Sequence, residues 1–243
     1  MLKFHFEPDL QYQRDAINAV TGLFEGAPYV PPEDRILMGV CANDLRLPLE
    51  ILKQNRDRIA KESGILNAKP SDELDFCVEM ETGTGKTYVY LRTIFELNKM
   101  YGLSKFIVLV PSIAVKEGVL KTLENVADHF KAIYGINHRA FAYDSKKPVM
   151  IRSYAQSGDL QIMVMNIQAF NTDDRIINQQ RDSNGSDKLI DLIRDVHPVV
   201  IMDEPQEGMD STNMVKRLEG LGPLLKLRYS ATHKIVKHLI HQL

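Results

Sequence analysis

The chain has 243 residues, 44% of them hydrophobic, which suffices for one large domain or two small ones with a sizeable core and argues against wholesale disorder. A net charge of −2 argues against binding nucleic acid by bulk electrostatics, while leaving room for a local basic groove. The two cysteines, Cys41 and Cys77, lack metal-type spacing and read as reduced thiols of an intracellular protein.

The N-terminal "MLKFHFEPDL" is charged and has no apolar leader core. No segment approaches the ~20 apolar residues that span a bilayer, so the expectation is a cytoplasmic protein without membrane contact. "PDLQYQRDAINAVTGLFEG" predicts a helix capped by Asp9, with Ala16, Ile17, Val20, Leu23 and Phe24 on one face. The prolines of "GAPYVPPED" make the next stretch a loop. A second helix is predicted over Leu45–Lys61, and the polar "LNAKPSDE" reads as a turn.

From Phe76 the rhythm changes to short apolar runs alternating with amphipathic segments. "FCVEM", "FIVLV", "QIMVMN", "VVIMDE" and "LKLRYS" are five strand candidates. Helices are predicted over Lys86–Tyr101, Ile113–Tyr134 and "DKLIDLIRDV". Continuous apolar strands separated by helices imply strands buried on both faces, hence an α/β, three-layer, mostly parallel sheet with helices on both sides. "NTDDRIINQQRDSNGSD" reads as an exposed insertion. No repeat or low-complexity tract is present. Residues 1–75 read as an N-terminal helical region and 76–243 as the α/β unit, the two forming a single folded body.

The segment "FCVEMETGTGKTYVYL" is strand, glycine-rich turn and helix in succession. Gly83 and Gly85 let the backbone bend sharply and approach a ligand without a Cβ in the way. The turn feeds a helix N-terminus, whose unpaired amides and dipole favour an anion. Lys86 adds a point charge over outer phosphates, and the Thr87 hydroxyl suits Mg²⁺. The expected ligand is a nucleoside triphosphate with Mg²⁺, held by Thr82, Gly83, Thr84, Gly85, Lys86 and Thr87. Met80 stands where the strict phosphate-loop pattern has its first glycine, so "ETGTGKT" matches the helicase variant instead.

Hydrolysis also needs a carboxylate for the metal and a group that activates water. "VVIMDEPQ" supplies both at a strand end: Asp203 for Mg²⁺ and Glu204 for the water. Functional groups of open parallel sheets gather at the strands' carboxyl ends, so Asp203 and Lys86 should share one edge.

Taken in order, these motifs resemble those of a superfamily 2 helicase-like ATPase, and more narrowly the motor part of the Res subunit of type III restriction-modification enzymes. "YQRDAI" resembles the Q motif, "ETGTGKT" motif I, "VLVPSIAVKEGV" motif Ia, and "VMNIQAF" the Ib region. "DEPQ" resembles that family's form of motif II, and "LRYSATH" motif III. The resemblance implies a first RecA-like motor domain over 76–243 that binds ATP and Mg²⁺ and acts on double-stranded DNA. It also implies a role in cleavage of foreign DNA with a DNA-methylating Mod subunit. Gln13 would read the adenine edge, and Ser230 and Thr232 would couple hydrolysis to movement.

Two departures qualify the match. Ala27–Asp75, between the Q motif and motif I, is long and has no assigned role. The chain ends at Leu243, short of the second RecA-like domain with its arginine, worth roughly 10³–10⁵ in rate in related ATPases, and of the nuclease domain. The isolated chain is therefore expected to bind ATP better than it hydrolyses it, as a fragment or truncated product. The alternatives are a nucleotide- or DNA-binding module without productive turnover, or the motor of another repair or remodelling ATPase.

The remaining residues carry paired readings. Pro111 and Ser112 either offer backbone amides to a DNA phosphate or merely close a strand. Asn166 and Gln168 follow the third strand and either touch the sugar-phosphate chain or do not reach it. Lys116, Lys121 and Lys131 read as a solvated helix face rather than a phosphate-facing stripe, and His238 and His241 likewise as a surface helix face rather than a metal site. Met163 and Met165 read as core.

Overall fold

A computed structural model describes residues 10–65, 74–144, 146–168, 189–231 and 241–242. In chain order, α1 (Gln11–Gly22) leads into a 3₁₀ turn (Pro32–Arg35) and a small hairpin of β1 (Ile36–Leu37) and β2 (Val40–Cys41). Next come α2 (Leu49–Glu62), β3 (Asp75–Glu79), α3 (Lys86–Tyr101), β4 (Lys105–Val110) and α4 (Ile113–Tyr134). Then follow β5 (His138–Ala142), α5 (Pro148–Gln156), β6 (Leu160–Asn166), α6 (Leu189–Asp195) and β7 (Val199–Asp203). The described chain closes with α7 (Thr212–Gly220), β8 (Leu225–Ser230) and the two-residue β9 (His241–Gln242).

The main sheet has the order β5-β6-β4-β7-β8-β3-β9, with every pairing parallel. The expected three-layer α/β arrangement is observed. Every residue of β4, β6 and β7 is buried, which is why these segments read as unbroken apolar runs. Alternation then divides the core. Phe106, Val108, Ile162, Val164, Val199 and Ile201 face one side, with residues of α1 to α4. Ile107, Leu109, Met163, Met165, Val200 and Met202 face the other, with α5, α6 and α7. The methionines expected in the core are there.

Helix ends follow from local chemistry. Helix α3 lies between left-handed Gly85 and Gly102. Helix α4 is capped by the Ser112 hydroxyl, which accepts from the Val115 amide, and ends at left-handed Gly135. The second helix starts at Leu49 rather than Leu45, because Pro48 holds Leu47 out of helical geometry. Asp9 lies outside the described residues, and the helix boundary falls at Leu10, which makes no side-chain cap. "LNAKPSDE" and "NTDDRIINQQRDSNGSD" also lie outside them. The hairpin, β5, α5 and α7 were not anticipated. Among the described residues strand β5 borders only β6, and it alternates in exposure, so "HRAFA" has no apolar run to reveal it. No helix among the described residues is long and apolar enough to cross a membrane.

The segment after α1 has a structural job. Arg35 is buried and donates to Val30 O at 3.1 Å, Ala42 O at 3.2 Å and Ser104 Oγ at 2.7 Å. Asn43, 2% exposed, accepts from the Ser104 and Lys105 amides at 2.8 and 3.0 Å. It donates to Lys105 O and His197 O at 2.8 and 3.0 Å, and its own amide donates to Val196 O at 2.8 Å. One side chain thus ties the amino ends of β4 and β7 together. Ile17, Val20, Leu23, Phe24, Leu52 and Ile59 meanwhile pack into the same core as the sheet, so residues before and after position 75 share it. Asn43→Ala removes four hydrogen bonds to buried backbone, and the expected loss is about 3 kcal/mol of unfolding free energy in urea. A loss under about 1 kcal/mol would show that this segment is only loosely attached.

Candidate active site

Three strand ends meet at the carboxyl edge of the sheet. Pairing of Glu79 with Ser230 and of Asp203 with Tyr229 brings the ends of β3, β8 and β7 to one level. Beyond β3 the chain turns through residues 81–85. Thr84 donates to Glu81 O through its amide at 3.3 Å and its hydroxyl at 2.6 Å. Gly83 and Gly85 have φ of +81° and +86°, the left-handed region open to glycine at little cost. Thr82 is exposed at the tip. Gln13 and Tyr12 of α1 brace this turn, donating to Thr84 O at 2.9 and 3.3 Å. A Cβ on Gly85 would stand 2.7 Å from Gln13 Nε2, so the glycine is needed for the brace as well as for the bend.

The strand order sets the phosphate turn against the acidic pair. Lys86 Nζ lies 2.7 Å from Glu204 Oε1 and donates to Met80 O at 3.4 Å. Gly83, Gly85, Lys86, Thr87, Asp203 and Glu204 line a common cavity of about 420 Å³, joined by Pro111. A larger cavity, about 650 Å³, lies against the turn's other side, between Tyr12, Asp15 and Ala16 of α1 and Met80, Glu81 and Thr84. Its volume is within the range of small-molecule sites.

The adjacent carboxylates differ in electrostatics. Asp203 is 6% exposed. Burial first and the Glu204 charge second push its pKa up to about 6, against the opposing Tyr90 hydroxyl and Lys86. Tyr90 donates to Asp203 Oδ2 at 3.3 Å. For Glu204, burial opposes the charge, but the Lys86 ammonium and the Gln206 amide outweigh it and hold the carboxyl below its usual range. Glu204 also has φ of +50°, an uncommon backbone state for a non-glycine residue, of the kind found at functional positions. Asp203 and Thr87 offer hard oxygen donors. One or two carboxylates plus substrate phosphates are how proteins usually hold Mg²⁺, so this donor set fits that ion.

Gln206 and Tyr90 belong to the site and were missed as individual residues. Gln206 Nε2 donates to Glu204 Oε2 at 2.6 Å, while its Oε1 accepts from Ser230 Oγ at 2.9 Å. The Ala231 amide reaches the same Glu204 oxygen at 3.4 Å. Gln206 therefore links the acidic motif to the Ser230 strand, and its place in "DEPQ" was the available signal. Thr232 and His238 lie outside the described residues. Pro111 and Ser112 sit at the end of β4, with Ser112 engaged in capping. Asn166 is buried at the end of β6 rather than presented to solvent, so in this structure it offers no surface to a sugar-phosphate chain, whereas Gln168 is exposed. Lys121 and Lys131 are exposed on α4, and Lys121 pairs with Glu124 at 2.9 Å.

The Tyr90 bond supplies a test. Tyr90→Phe removes a donor to the charged form of Asp203, so the Asp203 pKa rises. Mg²⁺ affinity, which needs the carboxylate, falls as pH drops through about 6 in the parent, and the same fall begins at higher pH in the variant. Isothermal titration with Mg²⁺ across pH 5 to 8 measures this, and coincident profiles would dissociate Tyr90 from Asp203.

Comparison with known proteins agrees with this geometry. Residues 8–235 match the family described as type III restriction enzyme, res subunit. The chain is 28% identical over 269 residues to the EcoP15I Res subunit of Escherichia coli, covering 99% of this chain and 27% of that protein. It is also 28% identical over 266 residues to the EcoPI Res subunit of Escherichia phage P1, with the same 99% and 27% coverage. The chain thus spans about a quarter of the length of these relatives. Among solved structures, the DUF1998 helicase MrfA bound to DNA and AMPPNP aligns at a TM-score of 0.51 and 15% identity, over 89% of this chain and 30% of that one. That likeness is one of fold, a RecA-like helicase domain. With the family match over nearly its whole length, the chain belongs to the Res subunit family of type III restriction enzymes.

Proposed function

We propose that this chain is the ATP-hydrolysing, helicase-like motor domain of a type III Res subunit. In this reading it acts on double-stranded DNA, in the cytoplasm and with a Mod methyltransferase subunit, to support cleavage of foreign DNA. The observation that carries the reading is the 2.7 Å contact between Lys86 and Glu204, with Asp203 and the Gly83–Gly85 turn in the same cavity.

The division of labour follows from chemistry. The amides at the start of α3 and the Lys86 ammonium hold the outer phosphates of ATP. Thr87 and Asp203 would hold Mg²⁺, which when bound neutralises phosphate charge. Glu204 orients a water and takes its proton as the water oxygen bonds to the γ-phosphorus; the bond to the β-phosphate oxygen breaks and ADP leaves. Lys86 cannot hold Glu204 and a phosphate equally well, so arrival of the phosphates loosens the ion pair. Loss of that cation raises the Glu204 pKa and makes it a better base. Ser230 communicates with Glu204 through Gln206. Gln13, seated on the turn, relates occupancy of the base site to loop geometry.

The test is steady-state ATP turnover by the purified chain, with and without DNA, alongside binding of Mg-ATP. Lys86→Ala is expected to weaken Mg-ATP binding about 100-fold or more. Glu204→Gln is expected to bind at least as tightly as the parent, because a competitor for Lys86 loses its charge, while turnover falls by roughly 10²–10⁴. Parental affinity in Lys86→Ala would overturn the phosphate-site assignment, and parental turnover in Glu204→Gln would place the base elsewhere.

A further inference from the structure

Strand β8 presents two different faces. Leu225, Leu227 and Tyr229 join the core shared with α1 and α3. Lys226, Arg228 and Ser230 alternate onto the opposite face, where the segment following Glu204 lies against the strand. That segment is tied to β8 at two points. Gln206 accepts from Ser230 at 2.9 Å, and four residues on, Asp210 Oδ1 accepts from Arg228 Nη1 at 2.6 Å. Between the ties, the Glu207 and Met209 amides donate to Glu204 O and Pro205 O at 3.0 and 2.9 Å, and Met209 is fully buried.

Arg228 is a rigid anchor. It is 5% exposed, and its Nε and Nη2 grip both oxygens of buried Asp75, at 2.7 and 2.8 Å, at the start of β3. Lys226 adds a third cationic contact to Asp75 at 3.1 Å. Two of the guanidinium's nitrogens thus serve β3 and the third serves Asp210, as the planar fork of arginine permits and a lysine would not.

We propose that Asp210 and Arg228 are positioning residues for ATP hydrolysis: by fixing the far end of the 205–211 segment on β8, they hold Gln206 where it orients Glu204. This rests on the reading of Glu204 as the water-activating group. Both residues lie away from the cavity and touch no reacting atom, so their effect passes through Gln206. A purely structural alternative is that Asp210 serves only the N-terminus of α7, which begins two residues later and is capped by Ser211.

The test is Asp210→Asn in the full chain. Arg228 keeps both bonds to Asp75 in this variant, so no buried charge is stranded and the fold is expected to persist. The decisive readout is the Gln206 side-chain amide in NMR spectra, assigned by its loss in Gln206→Ala. In Asp210→Asn its shifts should move toward those of a free glutamine, and kcat should fall about tenfold while Mg-ATP affinity stays within about twofold. Asp210→Glu, which keeps the charge, should restore most of both. Unchanged Gln206 shifts in folded Asp210→Asn overturn the proposal whatever the melting temperature does, since support of α7 alone would lower stability without moving that signal. If Asp210→Asn does not fold, Asp210→Ser is read by the same criterion. If the parent chain shows no turnover, the hydrolytic reading fails on its own evidence, and the Gln206 signal still decides whether Asp210 positions it.

Discussion

The ion pair of Lys86 and Glu204 exists only because two strands far apart in sequence end at the same height. Strand β3 delivers the phosphate turn and β7 the acidic pair, with β8 between them. In a parallel sheet all carboxyl ends share one edge, and strand order decides which groups meet there. Insertion of β8 between β3 and β7 leaves a gap that the long lysine and glutamate side chains bridge. The same gap gives the site its cavity of about 420 Å³.

The local field also depends on this placement. Two carboxylates in succession share one nearby cation, and they do not share it equally. Glu204 reaches Lys86 and Gln206 and stays charged readily, whereas Asp203 lies deeper, and burial and the Glu204 charge raise its pKa to about 6. The asymmetry suits a division between a group that handles water and one that handles metal. It arises from position, since the two are chemically almost alike.

The rest of the fold keeps these strand ends in register. At the opposite edge, Asn43 holds the amino ends of β4 and β7 through hydrogen bonds to backbone, and Arg35 bonds the Ser104 hydroxyl beside β4. The stretch between the Q motif and motif I is thus partly a brace for the sheet. On the face of β8, Asp75 and Arg228 join the start of β3 to the segment that follows the acidic motif. Motif residues at one edge are held by unremarked polar residues elsewhere, which confer a precision that hydrophobic burial alone does not.

The sequence by itself determined what is local. Gly83, Gly85, Lys86 and Thr87 announce a phosphate turn because each residue's task is set by its immediate neighbours. Helices α3 and α4 were legible to their end residues, since glycines and a serine cap them. The fully buried strands β4, β6 and β7 showed as apolar runs, while β5 stayed hidden because an edge strand carries only half the signal. Tertiary structure alone decided which strands stand side by side, and with that the partners of Asn43, Tyr90, Gln206, Asp210 and Arg228. Apart from the local Gln206–Glu204 bond, those bonds join residues 18 to 154 positions apart, from the Arg228–Asp210 tie to the Asn43–His197 contact. No periodicity or spacing encodes such a meeting, because polar side chains find one another only after hydrophobic burial has ordered the sheet.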